Sequence, residues 1–479
     1  MNYAMIVYTV GNLLRVEAAL LLLPAGVALL YGESPLPFAL VAAGLAVLGT
    51  AVTLRRPAKT AIYAREGFFI VGISWILLSL FGALPFVISG EIPHFVDAFF
   101  ETVSGFTTTG ASILNDVEAL SRGMLFWRSF THWVGGMGVL VFVLAVLPKS
   151  DARTMYIMKA EVPGPTSGKL LARVRHTALL LYAIYLAMTL VLTVLLMAGG
   201  MPAFDALVHA FGTAGTGGFG IKGTSIGYYD SAWFDAVIGI FMVLFGVNFN
   251  LYYLLLLGDW RGVLRSEELR WYLGIVGGAV ALITVNILPQ YGGVLHAVRY
   301  AFFQVASIIT TTGYATADFC LWPQFSQTIL VLLMFVGAMA GSTGGGMKVS
   351  RIAILLKDTH RSLRTMISPR SVRSLKFEDK TVDKPTLTGI YSYFTAFLVL
   401  FCASILLLSL DSQDHVSNLT GVAACLNNIG PGLGVCGPMG NYAMFSDFSK
   451  LVLCFDMLAG RLEIFPLLML FSRDTYRRG

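Results

Sequence analysis

Four short stretches rich in glycine and threonine are the residues of this chain whose types and spacing could bind an ion. Each follows a segment too short to cross a bilayer and precedes a longer apolar one. Glycine permits positive φ, so backbone carbonyls in such stretches can turn toward a common line. A ring of carbonyl oxygens can replace the hydration shell of a monovalent cation. The four stretches are Thr107–Ser112, Gly215–Gly220, Thr310–Ala315 and Asn428–Gly434.

We predict that these four loops together line one cation filter, because irregular backbone at membrane depth must be buried in protein or line water. The glycines that we place in register are Gly110, Gly218, Gly313 and Gly432. The residues two positions earlier are Thr108, Thr216, Thr311 and Gly430. The full set of predicted filter residues is Thr108, Thr109, Gly110, Thr216, Gly217, Gly218, Thr311, Thr312, Gly313, Asn428, Ile429, Gly430 and Gly432. The alternative is that the loops are re-entrant segments that only pack a helical bundle.

The composition indicates a membrane protein. Of the 479 residues, 56% are hydrophobic and only 13% are charged, whereas soluble domains carry about 25% charged residues. A soluble enzyme and a nucleic-acid-binding protein are therefore excluded, despite the net charge of +6. The five cysteines show no CxxC spacing and the seven histidines no HExxH motif, so the sequence predicts no structural metal site, no disulfide framework and no enzyme.

Ten apolar segments are long enough to span a bilayer, and an even number places both termini on the same side. The loops between them hold 26 of the 33 lysines and arginines on that side, which the positive-inside rule makes cytoplasmic. The N-terminus has no basic stretch before its apolar run, so we predict no cleavable signal peptide. The segments are Val7–Leu30, Leu36–Leu54, Gly67–Ser89, Gly123–Leu147, His176–Met197, Ala232–Leu257, Trp271–Leu288, Phe325–Leu356, Leu387–Leu410 and Phe448–Phe471.

After the first two spans the chain repeats one unit four times: a span, a short amphipathic stretch, a glycine-containing loop and a second span. The predicted fold is an all-α polytopic membrane protein. It has two N-terminal spans followed by four helix–pore-loop–helix repeats, arranged pseudo-four-fold around one pore per protomer. The predicted units are residues 1–60 for the two extra spans and residues 61–150, 151–260, 261–365 and 366–479 for the four repeats.

The second span of repeat three is predicted to be broken. Its 33 residues from Phe325 to Lys357 would extend to roughly 50 Å as a helix, and its middle holds a run of glycines that costs about 1 kcal/mol for each residue. We predict that the freed segment is an intramembrane gate beneath the filter. Its residues are Gly341, Ser342, Thr343, Gly344, Gly345 and Gly346. The alternatives are a close helix crossing through small residues and a nucleotide-binding loop, whose GxxxxGK[ST] pattern the segment does not match.

Several charged residues lie within spans, where each must face a cavity or a partner. Arg461 either lies near the pore axis or steadies the gate, and a salt bridge to Asp456 or Glu463 is the alternative. We interpret Arg128 as holding a pore helix in place, with Glu101 as a candidate partner. A third pair of charges in the first span, Arg15 and Glu17, is interpreted as local or as facing the bundle.

The four loops, the GSTGGG break in repeat three and the position of Arg461 resemble the TrkH/TrkG/KtrB superfamily of potassium transport subunits. The resemblance covers residues 61–479, and the two extra N-terminal spans make the chain more similar to TrkH than to KtrB. Its one essential glycine per loop falls on Gly110, Gly218, Gly313 and Gly432. A glycine in the first loop, where sodium-preferring plant relatives carry serine, points to potassium. Gly217 and Pro431 depart from the pattern of the other loops.

The resemblance implies a bacterial inner-membrane protein with both termini cytoplasmic, which takes up K⁺, and also Rb⁺, through a gated filter. It also implies a homodimer and a cytosolic TrkA-type regulatory ring that binds nucleotides. No nucleotide site is evident in this chain, and the basic loop Lys357–Lys384 could contact such a ring or anionic lipid. The alternative function is K⁺/H⁺ or K⁺/Na⁺ symport. Symport usually requires titratable residues on the path, and the deep acids here are Glu17, Asp456 and Glu463.

Overall fold

The computed structural model describes residues 1–55, 57–58, 63–138, 174–369, 374–473 and 476. Within these residues, six helices are long and apolar enough to cross a membrane, or seven if one strongly bent pair is counted as a single span. The predicted spans are largely helical wherever they are described. Two predicted unit boundaries, 60/61 and 150/151, and the predicted span residues 139–147 lie outside the described residues.

The two N-terminal spans form a close antiparallel pair. They consist of Tyr3–Leu20 with Leu22–Leu30, followed by Leu36–Thr53. A Cβ atom on Gly49 would lie 2.7 Å from the carbonyl oxygen of Gly11, so the absence of side chains lets the helices approach this closely. The predicted pairing of Arg15 with Glu17 is wrong. Arg15 is exposed and Glu17 is buried, because residues two apart on a helix do not face each other.

The remaining helices follow the order first helix, pore helix, second helix four times. The first helices are Ala64–Ser89, Val174–Ala198, Glu267–Tyr291 and Lys384–Leu408. The pore helices are Phe95–Phe106, Ala203–Ala214, Val294–Ile309 and His415–Leu426. The second helices are Arg122–Gly136, Ala232–Phe245 with Phe249–Leu256, Gln324–Val336 with Val349–Ile367, and Asp447–Arg461 with Phe465–Phe471. Shorter elements are the helix Trp260–Arg265, the 3-10 turns Ser225–Tyr229, Phe319–Leu321, Ser409–Asp411 and Gly434–Cys436, and an antiparallel hairpin of Lys376–Phe377 with Lys380–Thr381.

The pore helix of repeat four begins at a side-chain cap. In repeat four, the side chain of Asp414 accepts a hydrogen bond from the Ser417 backbone N–H at 3.0 Å, which satisfies a free donor of the first turn. The same interaction with Ser417 lowers the pKa of the Asp414 carboxyl. From residue 417 to residue 426, ten residues of this helix, only Leu419 is not buried. Most of the pore helix therefore lies inside the bundle, and its exposed residues are His415, Val416 and Leu419.

The second helices of repeats two, three and four are all broken. The break in repeat three was predicted, but the continuous spans predicted over Ala232–Leu257 and Phe448–Phe471 are wrong. In repeat two the halves meet at 92°, and the freed backbone N–H of Phe249 donates to the Gly341 carbonyl at 3.0 Å. In repeat four, Glu463 and Ile464 adopt positive φ values of 56° and 65°. Groups from other repeats make these breaks tolerable.

Candidate functional site

Each pore helix ends in the same backbone turn. The second residue after the end of each helix adopts a left-handed conformation. The residue two positions after that one is a glycine with positive φ. The first set is Thr108, Thr216, Thr311 and Asn428, with φ values of 56°, 53°, 60° and 57°. The glycines are Gly110, Gly218, Gly313 and Gly430, with φ values of 80°, 76°, 86° and 96°. The residues between them donate to the carbonyl five positions earlier: Thr109 to Ser104, Gly217 to Gly212, Thr312 to Ser307 and Ile429 to Ala424, at 2.8–2.9 Å.

The fourth loop is therefore in a different register from the predicted one. Gly430, and not Gly432, occupies the position of Gly110. Gly432 lies two residues further on, where its backbone N–H donates to the Cys436 carbonyl at 2.7 Å. A Cβ atom on Gly432 would lie 2.8 Å from the Thr420 hydroxyl, so this glycine packs against its own pore helix. The alternation of glycines in this loop made either register compatible with the sequence.

The four loops close into a ring. Each positive-φ glycine lies against a carbonyl oxygen of the next loop, and the fourth lies against the first. A Cβ atom would approach these oxygens as follows: Gly110 to Gly217 at 2.0 Å, Gly218 to Thr312 at 2.0 Å, Gly313 to Ile429 at 2.1 Å and Gly430 to Thr109 at 2.8 Å. Both the conformation and the close approach require glycine. The predicted loops are thus brought together around one axis in chain order.

A buried ion pair supports the first two loops, as the sequence predicted. The Arg128 Nε donates to Glu101 Oε1 at 2.5 Å, and the two side chains are 3% and 0% exposed. The same carboxylate accepts from the Ser112 hydroxyl. Arg128 Nη1 also donates to the Gly220 carbonyl at 2.9 Å, and its guanidinium lies 3.5 Å from the ring centre of Phe219. Arg128 therefore connects pore helix one to loop two.

Glu101→Gln is expected to destabilise the protein by about 3–5 kcal/mol, because it leaves the Arg128 charge buried without its partner. The measurement is the thermal unfolding midpoint of the purified protein in detergent. Glu118→Gln is the control. Glu118 is exposed and pairs with Lys222 at 2.6 Å, a contact that lowers the pKa of Glu118 and raises that of Lys222. We expect little change in this variant, and an equal loss in both would contradict the interpretation.

The glycine that sets loop two apart from loops one and three has a steric explanation. Thr109 and Thr312 direct their hydroxyls to Thr107 and Thr310, each at 2.8 Å. A Cβ atom at Gly217, the equivalent position, would lie 2.3 Å from the imidazole ring of His132. This ring comes from the second helix of repeat one. It is held by a contact of 2.8 Å between its Nδ1 and the Gly105 carbonyl oxygen. The histidine therefore occupies the space of the missing threonine side chain.

The segment Gly341–Gly346, which we call the glycine loop, lies directly against loops three and four. Its Gly345 backbone N–H donates to Thr311 Oγ1 at 2.6 Å. A Cβ atom on Gly345 would lie 2.6 Å from the Asn427 carbonyl oxygen, and one on Gly344 would lie 2.8 Å from that of Thr310. The glycine loop therefore contacts the residues at which two of the four ring loops begin.

Two cationic side chains hold the glycine loop. Arg461 Nη1 donates to the Thr343 carbonyl at 2.8 Å, and its Nη2 donates to Gly135 and Gly136 at 2.5 and 2.8 Å. The Lys348 Nζ donates to the Gly344 carbonyl. These contacts agree with Arg461 steadying the loop.

The carboxylates that were its alternative partners have other contacts. Glu463 pairs with Arg351, and Asp456 accepts from the Ser404 hydroxyl at 2.7 Å.

Three residues at this site were not predicted. The sequence places Lys348 in a basic loop, but its side chain is 2% exposed, and Glu268, which holds the glycine loop at both ends, is 5% exposed. His132 was not singled out. The signal for Lys348 was its position two residues after the glycine run of the broken helix, which ends at Gly346. No sequence signal marks Glu268 or His132, because their partners come from other parts of the chain.

Four re-entrant loops closed into a ring, with a broken helix against them, define a multi-pass helical membrane transport protein. The family model described as TrkH, cation transport protein, matches residues 38–277 and 284–477. The chain belongs to this family, as the resemblance indicated.

Three relatives show how close the match is. The chain is 37% identical to the Trk system potassium uptake protein TrkH of Salmonella typhimurium over all of both chains. It is 34% identical to TrkG of Escherichia coli, with 86% of each chain covered. The crystal structure of the potassium transporter TrkH from Vibrio parahaemolyticus superposes with a TM-score of 0.90, at 34% identity over all of both chains. These matches confirm the predicted all-α membrane fold, and the relatives are named as transport proteins, not enzymes.

Proposed function

We propose that this chain takes up K⁺, and also Rb⁺, across the bacterial inner membrane through the four-loop ring. The closure of the ring through four glycine-to-carbonyl approaches carries the proposal, because such a ring presents backbone oxygens to one axis. The names of the relatives, potassium uptake proteins and a potassium transporter, support K⁺ as the ion. The predicted filter residues, with Gly430 in the place of Gly432, would replace the hydration shell of the ion.

The glycine loop is the gate in this proposal. Its hydrogen bond to Thr311 and its approach to Asn427 support an obstructing position beneath the filter. Opening requires these contacts to break, so a signal must reach the loop from elsewhere. We assign that signal to a cytosolic TrkA-type ring that binds nucleotides and docks on the predicted basic side, at the segment Lys357–Lys384. Residues 370–373 of this segment lie outside the described part of the structure. This chain would act as a homodimer with one pore in each protomer and with both termini cytoplasmic.

A coupled K⁺/H⁺ or K⁺/Na⁺ symporter is the second candidate. The observation in its favour is that two of the three acids predicted within spans keep carboxyl oxygens without hydrogen-bond partners among the described residues. They are both oxygens of Glu17 and the Oδ2 of Asp456. A buried carboxyl without full pairing favours the protonated form, which a proton-coupled mechanism could use.

The test is cation flux into liposomes that contain this chain alone, with empty liposomes as the control. Gradients of K⁺, Rb⁺, Na⁺ and Li⁺ are compared in separate experiments. We expect K⁺ and Rb⁺ to enter at least about tenfold faster than Na⁺, as carbonyl coordination discriminates between these ions. Reversal potentials that follow the K⁺ gradient alone support a channel. A shift with an imposed pH or Na⁺ gradient would support symport, and equal entry of all four ions would overturn the filter.

A further inference from the structure

One carboxylate holds both ends of the glycine loop. Glu268 is the second residue of the helix Glu267–Tyr291 and is 5% exposed. Its Oε1 accepts from the backbone N–H of Ala340 at 2.8 Å and from that of Ser350 at 3.2 Å. Ala340 directly precedes the glycine loop, and Ser350 lies in the first turn of the helix that follows it. A displacement of Glu268 would therefore release the loop at both ends together.

The backbone of the same residue is held from outside by a second carboxylate. Glu378 Oε1 accepts from the Glu268 backbone N–H at 2.9 Å and from the Ser266 hydroxyl at 2.8 Å. Ser266 is the N-cap of the helix, and its side chain accepts from the Leu269 backbone N–H. Glu378 supplies the acceptor for the Glu268 backbone N–H, which has no partner within the first turn. An anion at a helix N-terminus is further stabilised by the helix dipole. The position of Glu268 thus depends on Glu378.

Glu378 lies at the turn of the hairpin Lys376–Thr381. The two central residues, Glu378 and Asp379, have φ values of 51° and 57°. Two-residue turns of this kind require positive φ at both positions and are usually built with asparagine or glycine. Left-handed backbone at other residues is strained. The hydrogen bonds of Glu378 to the helix start offset this strain. Displacement of the hairpin by a partner breaks these bonds and is assisted by the release of the strain.

The hairpin is also joined to the helix beyond the glycine loop. Lys357, on Val349–Ile367, forms an ion pair with Glu267, and its Nζ donates to the Lys376 carbonyl at 3.0 Å. Direct contacts therefore join three segments: the hairpin, the start of Glu267–Tyr291 and the second half of the broken helix. We expect these segments to move as one unit. The outer surface of this unit has an excess of basic side chains, because Asp379 and Asp383 are its exposed acids among the described residues. The exposed basic residues are Arg270, Arg364, Lys376, Lys380 and Lys384.

We propose that the hairpin Lys376–Thr381 is the point at which a cytosolic partner with an acidic surface acts on the glycine loop, and that Glu268 is the positioning residue through which it acts. This rests on the proposed function, in which the glycine loop is the gate and a cytosolic protein controls it. Displacement of the hairpin removes Glu378 from the helix start. Glu268 then shifts, both ends of the glycine loop lose their acceptor, and the loop leaves the ring.

The test compares Rb⁺ uptake into liposomes by wild type, Glu268→Gln, Glu378→Gln and the double variant, all without any partner protein. Asp379→Asn, in the same turn, is the matched control. Replacement of a charged acceptor by a neutral one weakens these bonds and is expected to raise uptake about tenfold in Glu268→Gln and about threefold in Glu378→Gln. Residues that act in series are not additive, so the double variant is expected to equal Glu268→Gln. Asp379→Asn is expected to behave as wild type.

Several outcomes overturn the inference. Wild-type uptake in Glu268→Gln would do so, and so would a double variant whose effect is the product of the single effects. A merely structural role for Glu268 would reduce the preference for Rb⁺ over Na⁺, whereas the inference expects that preference to be unchanged. If Glu268→Gln elutes as aggregate, Glu268→Asp takes its place. Aspartate keeps the charge, so its uptake is expected to lie between that of wild type and the value expected for Glu268→Gln, and wild-type uptake would overturn the inference.

A second measurement separates this inference from the proposed function. If deletion of Thr343–Gly345 passes Rb⁺ but Glu268→Gln does not exceed wild type, the inference fails and the gate stands. If neither passes any cation, the proposed function fails. The thiol labelling rate of Ser342→Cys in detergent tests the link from Glu268 to the glycine loop without any flux. Glu268→Gln is expected to increase that rate, and an unchanged rate would overturn the inference.

Discussion

Gly313→Ser is expected to abolish most of the preference for K⁺ over Na⁺. Gly313 has a φ of 86° and a Cβ atom there would lie 2.1 Å from the Ile429 carbonyl oxygen. No rotation of the new side chain relieves this contact, because it involves the Cβ atom itself. The Ile429 carbonyl must therefore leave its place in the ring. We expect the ratio of Rb⁺ to Na⁺ uptake in liposomes to fall at least about tenfold, which corresponds to about 1.4 kcal/mol of lost discrimination.

Gly293→Ser is the matched control in the same repeat. Gly293 caps the pore helix Val294–Ile309, and a Cβ atom there would meet nothing within 4 Å. Serine is a favourable residue at a helix N-cap, so the ratio of Rb⁺ to Na⁺ uptake should stay at the wild-type value. If Gly313→Ser retained the wild-type preference, the loops would be packing elements and the assignment of the filter would be withdrawn.

Deletion of Thr343–Gly345 is expected to increase Rb⁺ uptake by this chain alone about a hundredfold. The deletion removes one acceptor of Arg461, the acceptor of Lys348 and the donor of Thr311. The bonds to Arg461 and Thr311 alone are worth about 3 kcal/mol together, and each 1.4 kcal/mol is a factor of ten. The helix ends need not separate, because Gly337 and Gly346 already touch: a Cβ atom on Gly346 would lie 2.8 Å from the Gly337 Cα.

The preference for Rb⁺ over Na⁺ must survive this deletion, since the ring itself is unchanged. Ser342→Ala is the control, because the Ser342 hydroxyl bonds locally, to the carbonyl of Met339 three residues earlier at 2.6 Å, and makes no contact with the ring loops among the described residues. Its uptake should equal that of wild type. Unchanged uptake in the deletion variant would show that the glycine loop does not obstruct the path, and a loss of ion preference would show that it is part of the filter.

The sequence was most informative where one requirement is local. Three ring loops could be aligned from the pattern Thr-x-Gly alone. An acidic partner for Arg128 could be expected because an unpaired buried charge is costly. The fourth loop was misaligned by two residues, because Gly430 and Gly432 satisfy the same local pattern. The folded backbone distinguishes them: Gly430 has positive φ and approaches the Thr109 carbonyl, from a loop more than three hundred residues away.

The broken second helices illustrate the same division. The glycines of repeat three predict their break from helix propensity alone. The breaks after Phe245 and Arg461 depend on partners that sequence separation conceals. Asn248 caps its own half-helix, but the Phe249 N–H relies on Gly341, and the turn at Glu463 relies on Arg351. A helix can stop inside a membrane protein wherever another segment supplies the missing hydrogen bonds.

The glycine contacts around the ring all run in one direction. Gly110 presses on loop two, Gly218 on loop three, Gly313 on loop four and Gly430 on loop one. The ring therefore has a direction, because each loop contacts the next loop through its glycine and the previous loop through its carbonyl oxygen. A larger residue at one of these glycines is expected to displace the carbonyl oxygen of the next loop and to leave the carbonyl oxygens of its own loop in place. Second-site suppressors of a damaged loop should accordingly map to the next repeat in chain order, and those of the fourth loop to the first repeat.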